Sequence, residues 1–358
     1  MINKVRVELE DRSYDILIGK NSFDCLPDFL AEKKYSKIFV ITDKNVANHH
    51  LSRFDEVVKN CEKIIIDAGE QSKSFSYLEK ICEEILEKGI DRKSLIIAFG
   101  GGVIGDLSGF IASILLRGID FIQIPTTLLA MVDSSVGGKT AINSKNGKNL
   151  IGSFYQPKLV ICDLEFLNTL PIRQIKAGYA EIVKYGLIID ENFFTFLENN
   201  FRKIFDFDEE FLIEIITKSC EIKAKIVGDD EREQSRRALL NFGHTIGHVF
   251  EAETNYSDEL LHGEAVVLGM LMACQMSLNL SMIKETDFLR VKKHFQDFGF
   301  IIDAKKIRDD WNINALIKHL YKDKKNEGQK LTFILLKGIG NAVISKDVDL
   351  QEFLKVCS

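Results

Sequence analysis

Leu95–Ile96–Ile97–Ala98–Phe99 runs straight into Gly100–Gly101–Gly102–Val103–Ile104–Gly105–Asp106, and an apolar helical stretch continues towards Leu116. A short apolar run with no polar alternation reads as a strand buried on both faces. Glycines followed by helical spacing then predict a tight strand–helix crossing. Gly100, Gly102 and Gly105 keep the G-x-G-x-x-G spacing. Backbone without side chains can approach a pyrophosphate closely, and a helix N-terminus favours its charge. The spacing alone is weak, because a crossing that binds nothing can carry it.

Working outward, the same alternation recurs. Ile38–Ile41 reads as a buried strand ending in Thr42–Asp43, and Lys63–Ile66 as another ending in Asp67–Ala68–Gly69–Glu70. Leu78–Leu86 has helical spacing stopped by Lys88–Gly89, Phe121–Ile124 is a strand closed by Pro125, and Val5–Ile18 reads as a hairpin. Strands separated by helices imply a largely parallel sheet with helices packed on it. After Pro171 the strand signals almost vanish, and helical periodicity dominates from Ala177 to about Leu320, with long candidates at Phe211–Val227 and Gly263–Leu280. Leu331–Leu336 is a late strand. The expected fold is α/β: a Rossmann-like, mostly parallel sheet domain over residues 1–171, then a mainly α-helical domain over residues 172–358. No internal repeat is present.

The glycine loop departs from an ordinary Rossmann fingerprint, which sits in the first βα turn with an acid ending the next strand. Here two strands precede it, and Asp120 begins the next strand instead of ending it. Asp43 and Glu70, at other strand ends, supply acids, and Thr126–Thr127 add hydroxyls on the same rim. A variant dinucleotide site is expected. Gly137–Gly138–Lys139–Thr140 resembles a P-loop, but the place of its first glycine is taken by Asp133, so that reading fails on spacing. The segment through Asn146–Gly147–Lys148–Asn149 reads as a flexible loop carrying lysines towards an anion.

Composition bounds the function. A chain of 358 residues, 46% hydrophobic and 28% charged, is comfortable as two globular domains. Its net charge of -6 argues against a nucleic-acid surface. Seven cysteines with no C-x-x-C pair read as reduced thiols. Met1–Leu9 has no apolar signal core, and no run of about 18 apolar residues occurs, so a cytoplasmic enzyme is expected.

Three of the seven histidines, His244, His248 and His262, fall within Asn241–Gly263, flanked by Gly243, Gly247 and Gly263. His244 and His248 share one helix face. Glu181 is an acid in an otherwise apolar helical stretch, where a carboxylate needs a cation or hydrogen bonds. Two histidines and a carboxylate make a catalytic metal set with open positions, suited to zinc, with iron, manganese or cobalt also compatible by chemistry. The residues leave open whether His244/His248 or His244/His262 bind. Lys184, Lys223, Lys225, Arg236 and Arg237 crowd the same segments, which suggests a substrate with more than one anionic group.

Taken together, AGEQSK (68–73), GGGVIGDLSGF (100–110), IPTTLLAMVDSSVGGKTAIN (124–143), GKNLIGSFYQP (147–157), AEIVKYG (180–186), NFGHTIGHVFE (241–251), HGEAV (262–266) and DKKN (323–326) resemble the 3-dehydroquinate synthase family, within the sugar phosphate cyclase superfamily, nearly end to end. The resemblance implies a metal held by Glu181, His244 and His262, with His248 moving a substrate proton. It implies NAD along Asp43, Asn45, Glu70, Lys73, Gly102, Val103, Ile104, Gly105, Asp106, Thr126, Thr127, Lys139, Lys148, Phe166 and Thr169. Substrate contacts would be Arg117, Asp133, Lys139, Asn149, Lys184, Lys223, Arg237, Asn241 and Lys324 or Lys325, with Lys324 favoured.

The implied substrate is 3-deoxy-D-arabino-heptulosonate 7-phosphate, which carries a phosphate and a carboxylate. The implied reaction is a lyase cycle of oxidation at C5, phosphate loss, reduction, ring opening and aldol closure, with NAD regenerated, in the shikimate route. A homodimer is also implied. The competing readings are another cyclase of the superfamily, making an inosose or valiolone, and a metal-dependent alcohol dehydrogenase that releases NADH. A non-catalytic relative would have lost a ligand, whereas Glu181, His244 and His262 are all present.

Overall fold

A computed structural model describes residues 2–323 and 330–357. The chain forms two compact units, Met1–Ile175 with Phe207–Arg232, and Lys176–Asp206 with Glu233–Ser358. The first unit therefore takes back a later segment, which contains the helix Glu209–Asp229 and packs on the N-terminal hairpin.

The strands of the first unit are β1 (Asn3–Val7), β2 (Tyr14–Gly19), β3 (Ile38–Asp43), β4 (Glu62–Ile66), β5 (Leu95–Gly100), β6 (Asp120–Pro125), β7 (Lys139–Ser144), β8 (Gly147–Phe154) and β9 (Leu159–Asp163). Seven of them build one sheet in the order β1-β2-β9-β6-β5-β3-β4. Only the β1–β2 hairpin is antiparallel; every other pairing is parallel. Every residue of β5 is buried, as its unbroken apolar run requires. The chain leaves β3 towards β4 on one side and leaves β5 towards β6 on the other. The strand order thus reverses between β3 and β5, the point at which open parallel sheets bind ligands.

Two expectations are corrected here. The segment around Lys139–Asn149 is not a loose loop but the paired hairpin β7–β8. It packs on the helix Gly102–Ile114 so closely that a Cβ on Gly109 would lie 2.5 Å from Thr140 Cγ2. β9 is a further strand that the expected set does not include, and all five of its residues are buried.

The second unit is mainly helical, with the helices Glu191–Asn200, His244–Glu253, His262–Asn279, Glu285–Phe298 and Ile313–Asp323, and most of Ile172–Ile189. Its strand β10 (Lys330–Leu336) pairs with an unforeseen partner, β11 (Ala342–Asp349). The helices His244–Glu253 and His262–Asn279 cross backbone to backbone. A Cβ on Gly269 would stand 2.0 Å from Gly243 O, and one on Gly247 would stand 2.9 Å from Ala265 O. Among the described residues no helix is long and apolar enough to cross a membrane. None of the seven cysteines is in a disulfide.

Candidate active site

In the second unit, Glu181 projects from the helix Ile172–Ile189 into fully buried space. Its Oε1 lies 3.3 Å from His244 Nε2 and 3.4 Å from His262 Nε2. The two histidines begin their helices, so the close helix crossing fixes how far apart their rings stand. Their other nitrogens are occupied: His244 Nδ1 is 3.2 Å from Phe242 O, and His262 Nδ1 is 3.1 Å from Glu251 Oε2. With an ion bound, an Nδ1–H donated to each acceptor would leave both Nε2 lone pairs free to ligate it. Burial alone would raise the Glu181 carboxyl, but the Lys184 ammonium, followed by His244 and His262, outweighs it and holds the group well below the usual carboxylate range. His248 stands aside from this trio. Its Nε2 is 4.0 Å from Glu251 Oε2, and its side chain remains 41% exposed.

In the first unit, the parallel strands bring several expected residues to one edge. Asp43 ends β3, Glu70 follows β4, Gly102–Asp106 follow β5, and Thr126–Thr127 follow β6. The helix Gly102–Ile114 has Gly101 before it and no side-chain cap, so no capping side chain occupies its first N–H groups. Gly105 meets β6, where a Cβ would come 2.7 Å from Gln123 Oε1. Asp43 Oδ1 accepts from Asn45 N at 2.9 Å and Val46 N at 3.1 Å, capping its own helix. Lys73 is buried. Its Nζ donates to Asp106 Oδ2 at 2.6 Å and to Asn149 Oδ1. Burial opposes the Lys73 charge, but Asp106 and then Glu70 hold its pKa above the ordinary lysine value.

The family models for the N-terminal and C-terminal parts of 3-dehydroquinate synthase match residues 63–177 and 178–326. The chain belongs to the 3-dehydroquinate synthase family. It is 46% identical to the 3-dehydroquinate synthase of Caulobacter vibrioides over 99% of this chain and 98% of that protein. It is 45% identical to that of Thermoanaerobacter pseudethanolicus, over 98% and 99% respectively. A crystal structure of 2-deoxy-scyllo-inosose synthase complexed with carbaglucose-6-phosphate, NAD+ and Co2+ superposes with a TM-score of 0.89 at 25% identity, covering 99% of both chains. An iron-containing alcohol dehydrogenase from Thermococcus thioreducens shares the fold, with a TM-score of 0.70 at 16% identity over 96% of this chain and 98% of that one.

The residues present fit the two groups that the 3-dehydroquinate synthase family implies. Ligands about 2.1 Å from a tetrahedral ion stand about 3.4 Å from one another, which is the spacing from Glu181 Oε1 to both histidines. The buried carboxylate and two oriented imidazoles are a borderline-hard donor set suited to zinc or cobalt. For NAD, the uncapped helix start and the glycines at the sheet's reversal point would accommodate a pyrophosphate.

The other expected residues divide into three groups. Lys223 Nζ donates to Asp133 Oδ1 at 2.7 Å and to Asp133 O at 2.6 Å, so these two act as a pair. Lys139 and Asn149 are exposed on the hairpin and Lys148 is half-buried there, while Thr169 is exposed with its hydroxyl 2.7 Å from His50 Nε2. In the second unit Lys184 and Arg237 are buried, and Asn241 donates to Glu233 Oε1 at 2.6 Å. Two residues are not brought to the rim. Phe166 is buried in an aromatic cluster with Phe23, Phe99 and His50, its ring turned into the core. Arg117 follows the far end of the helix Gly102–Ile114, on the opposite edge of the sheet from the glycine loop and about 20 Å along that helix. Lys324 and Lys325 lie outside the described residues.

Sequence reading missed Glu251 and Asn143. Glu251 sits three residues after His248 and seven after His244, a spacing that would have placed it on the same helix face. Asn143 gives no local signal, because its partners Glu70 and Lys73 are distant in sequence.

Proposed function

We propose that this chain converts 3-deoxy-D-arabino-heptulosonate 7-phosphate to 3-dehydroquinate and phosphate, acting as a lyase that recycles its NAD. The observation that carries this reading is the convergence of Glu181, His244 and His262 in a chain 45–47% identical to 3-dehydroquinate synthases along nearly its whole length. When bound, the metal polarises a substrate hydroxyl and NAD accepts a hydride and gives it back.

Glu181, His244 and His262 hold the ion, and Glu251 fixes the ring of His262. His248, exposed beside them, takes up and returns a proton. Asp133, Lys139, Asn149, Lys184, Lys223, Arg237 and Asn241 are the side chains read as orienting the phosphate, carboxylate and hydroxyls. The rim from Asp43 and Asn45 through Glu70, Lys73, Gly102–Asp106, Thr126, Thr127, Lys148 and Thr169 holds the dinucleotide. Arg117 and Phe166 receive no side-chain role at this rim from the chain's own fold. We further read the protein as a cytoplasmic homodimer, which light scattering and fractionation would test.

The deciding assay mixes zinc-loaded protein, catalytic NAD and the heptulosonate phosphate, then follows phosphate and NADH together. Phosphate released without accumulating NADH is expected. Stoichiometric NADH would instead favour the dehydrogenase reading. Turnover of a sugar phosphate without a carboxylate, and not of the heptulosonate, would favour another cyclase. Glu181→Ala is expected to lose metal and activity together; an active, metal-replete variant removes Glu181 from the site.

A further inference from the structure

We infer that Asn143 is a positioning residue that ties the dinucleotide rim to the substrate-contacting Asn149, an inference resting on the proposed roles of Glu70, Lys73 and Asn149. Asn143 lies near the end of β7, half-buried. Its Nδ2 donates to Glu70 Oε1 at 2.7 Å, its Oδ1 accepts from Asn149 N at 3.0 Å, and its main-chain N–H donates to Lys73 O at 2.8 Å. The circuit closes on itself, because Lys73 Nζ donates to Asn149 Oδ1 and stands 3.9 Å from Glu70 Oε1.

The chemistry of this circuit calls for an amide. One end must accept from an N–H and the other must donate to a carboxylate, and the Asn143 amide presents both from one planar group. Flipping the amide would set NH2 against the Asn149 N–H and oxygen against the Glu70 carboxylate, so its orientation is fixed. A carboxylate at this place would repel Glu70. The bond to Asn149 also serves a backbone need. Asn149 has φ +57, the left-handed region, and the Asn143 oxygen holds that conformation. The side chain of Asn149 is thereby aimed at Lys73. Reorientation of Glu70 by a bound dinucleotide would pass through one side chain to Asn149.

The test uses the zinc-loaded full chain and the variants Asn143→Ala, Asn143→Asp, Glu70→Ala and Asn143→Ala/Glu70→Ala. NAD+ affinity is measured by calorimetry, and KM for the heptulosonate phosphate by phosphate release. Asn143→Ala is expected to weaken NAD+ about tenfold, as loss of a hydrogen bond to a charged group does, and to raise the substrate KM as well. Asn143→Asp is expected to weaken NAD+ further. Because Asn143 acts through Glu70, the double variant should bind NAD+ no more weakly than Glu70→Ala alone, a non-additivity that general loosening of the hairpin would not produce.

Wild-type NAD+ affinity in both Asn143 variants, with Glu70→Ala weakened, overturns the inference and leaves the rim reading standing. Full additivity in the double variant also overturns it. Unchanged NAD+ binding in Glu70→Ala overturns the inference and the rim reading together.

Discussion

His262 Nδ1 lies 3.1 Å from Glu251 Oε2, and this contact decides which nitrogen of the ring is left for a metal. Glu251 is itself buried, so its carboxylate does not swing between water and the ring. Loss of a carboxylate that orients a metal-bound histidine typically costs about 10- to 100-fold in metal affinity. Glu251→Ala is accordingly expected to weaken zinc by that factor in a chelator competition. Glu251→Gln, which keeps an acceptor, should lie between the two. Equal zinc affinity in all three proteins would show that His262 is oriented by packing alone.

Lys184 and Glu181, three residues apart on one helix, form an ion pair with both side chains buried. Removing one member of such a pair leaves an uncompensated charge and costs about 3–5 kcal/mol. Lys184→Met should therefore lower the melting temperature of the metal-free protein. A metal would then supply the missing positive charge, and it would do so without a neighbouring ammonium repelling it. Zinc should raise the melting temperature more in Lys184→Met than in the wild type. Equal zinc-induced shifts would mean that Lys184 and the ion do not share Glu181.

Gly269 meets Gly243 O so closely that any Cβ must push the helices His244–Glu253 and His262–Asn279 apart. The obstacle is backbone, which cannot rotate away. Gly269→Ala is expected to cost about 3 kcal/mol, the upper end for overpacking. Because His244 and His262 open these two helices, zinc affinity should fall in the variant that remains folded. Calorimetric melting and a zinc titration check the two effects separately, and unchanged zinc affinity would uncouple the crossing from the ligand spacing.

Local sequence carried most of the sheet. β5 was legible because a strand buried on both faces has nothing but apolar residues, and the strand ends at Asp43, Glu70 and Thr126 marked the rim. The hairpin β7–β8 was not legible. Its strands mix lysine, asparagine and glycine with apolar residues, and its order comes from packing Thr140 against Gly109. Spacing alone allowed either His248 or His262 beside His244, because i and i+4 define a helix face without saying what meets it. The choice depends on Glu181, 63 residues before His244, and on Glu251 beyond the ring of His262. Arg117 is the opposite case: it lies in none of the quoted motifs, and the fold sets it beyond the far end of the helix Gly102–Ile114 from the glycine loop.

His294 gives the second unit an acid sensitivity unrelated to catalysis. It is buried among Tyr179, Phe194 and Phe201, with Nε2 3.1 Å from Tyr179 Oη. Burial lowers its pKa to about 4 from 6.5; Asp297 opposes the shift and Arg290 adds to it. A histidine whose folded pKa is depressed binds fewer protons folded than unfolded. The stability it contributes is complete above pH 6.5 and is lost as pH falls from there through about 4. The loss by pH 5 is about 2 kcal/mol. His294→Gln has no ring to protonate and should lose less stability than the wild type between pH 7.5 and pH 5 in paired urea titrations. The variant starts lower at pH 7.5 because the ring packing is gone, so the difference between the two pH values is the quantity that matters. Parallel losses in both proteins would assign the acid sensitivity to carboxylates instead.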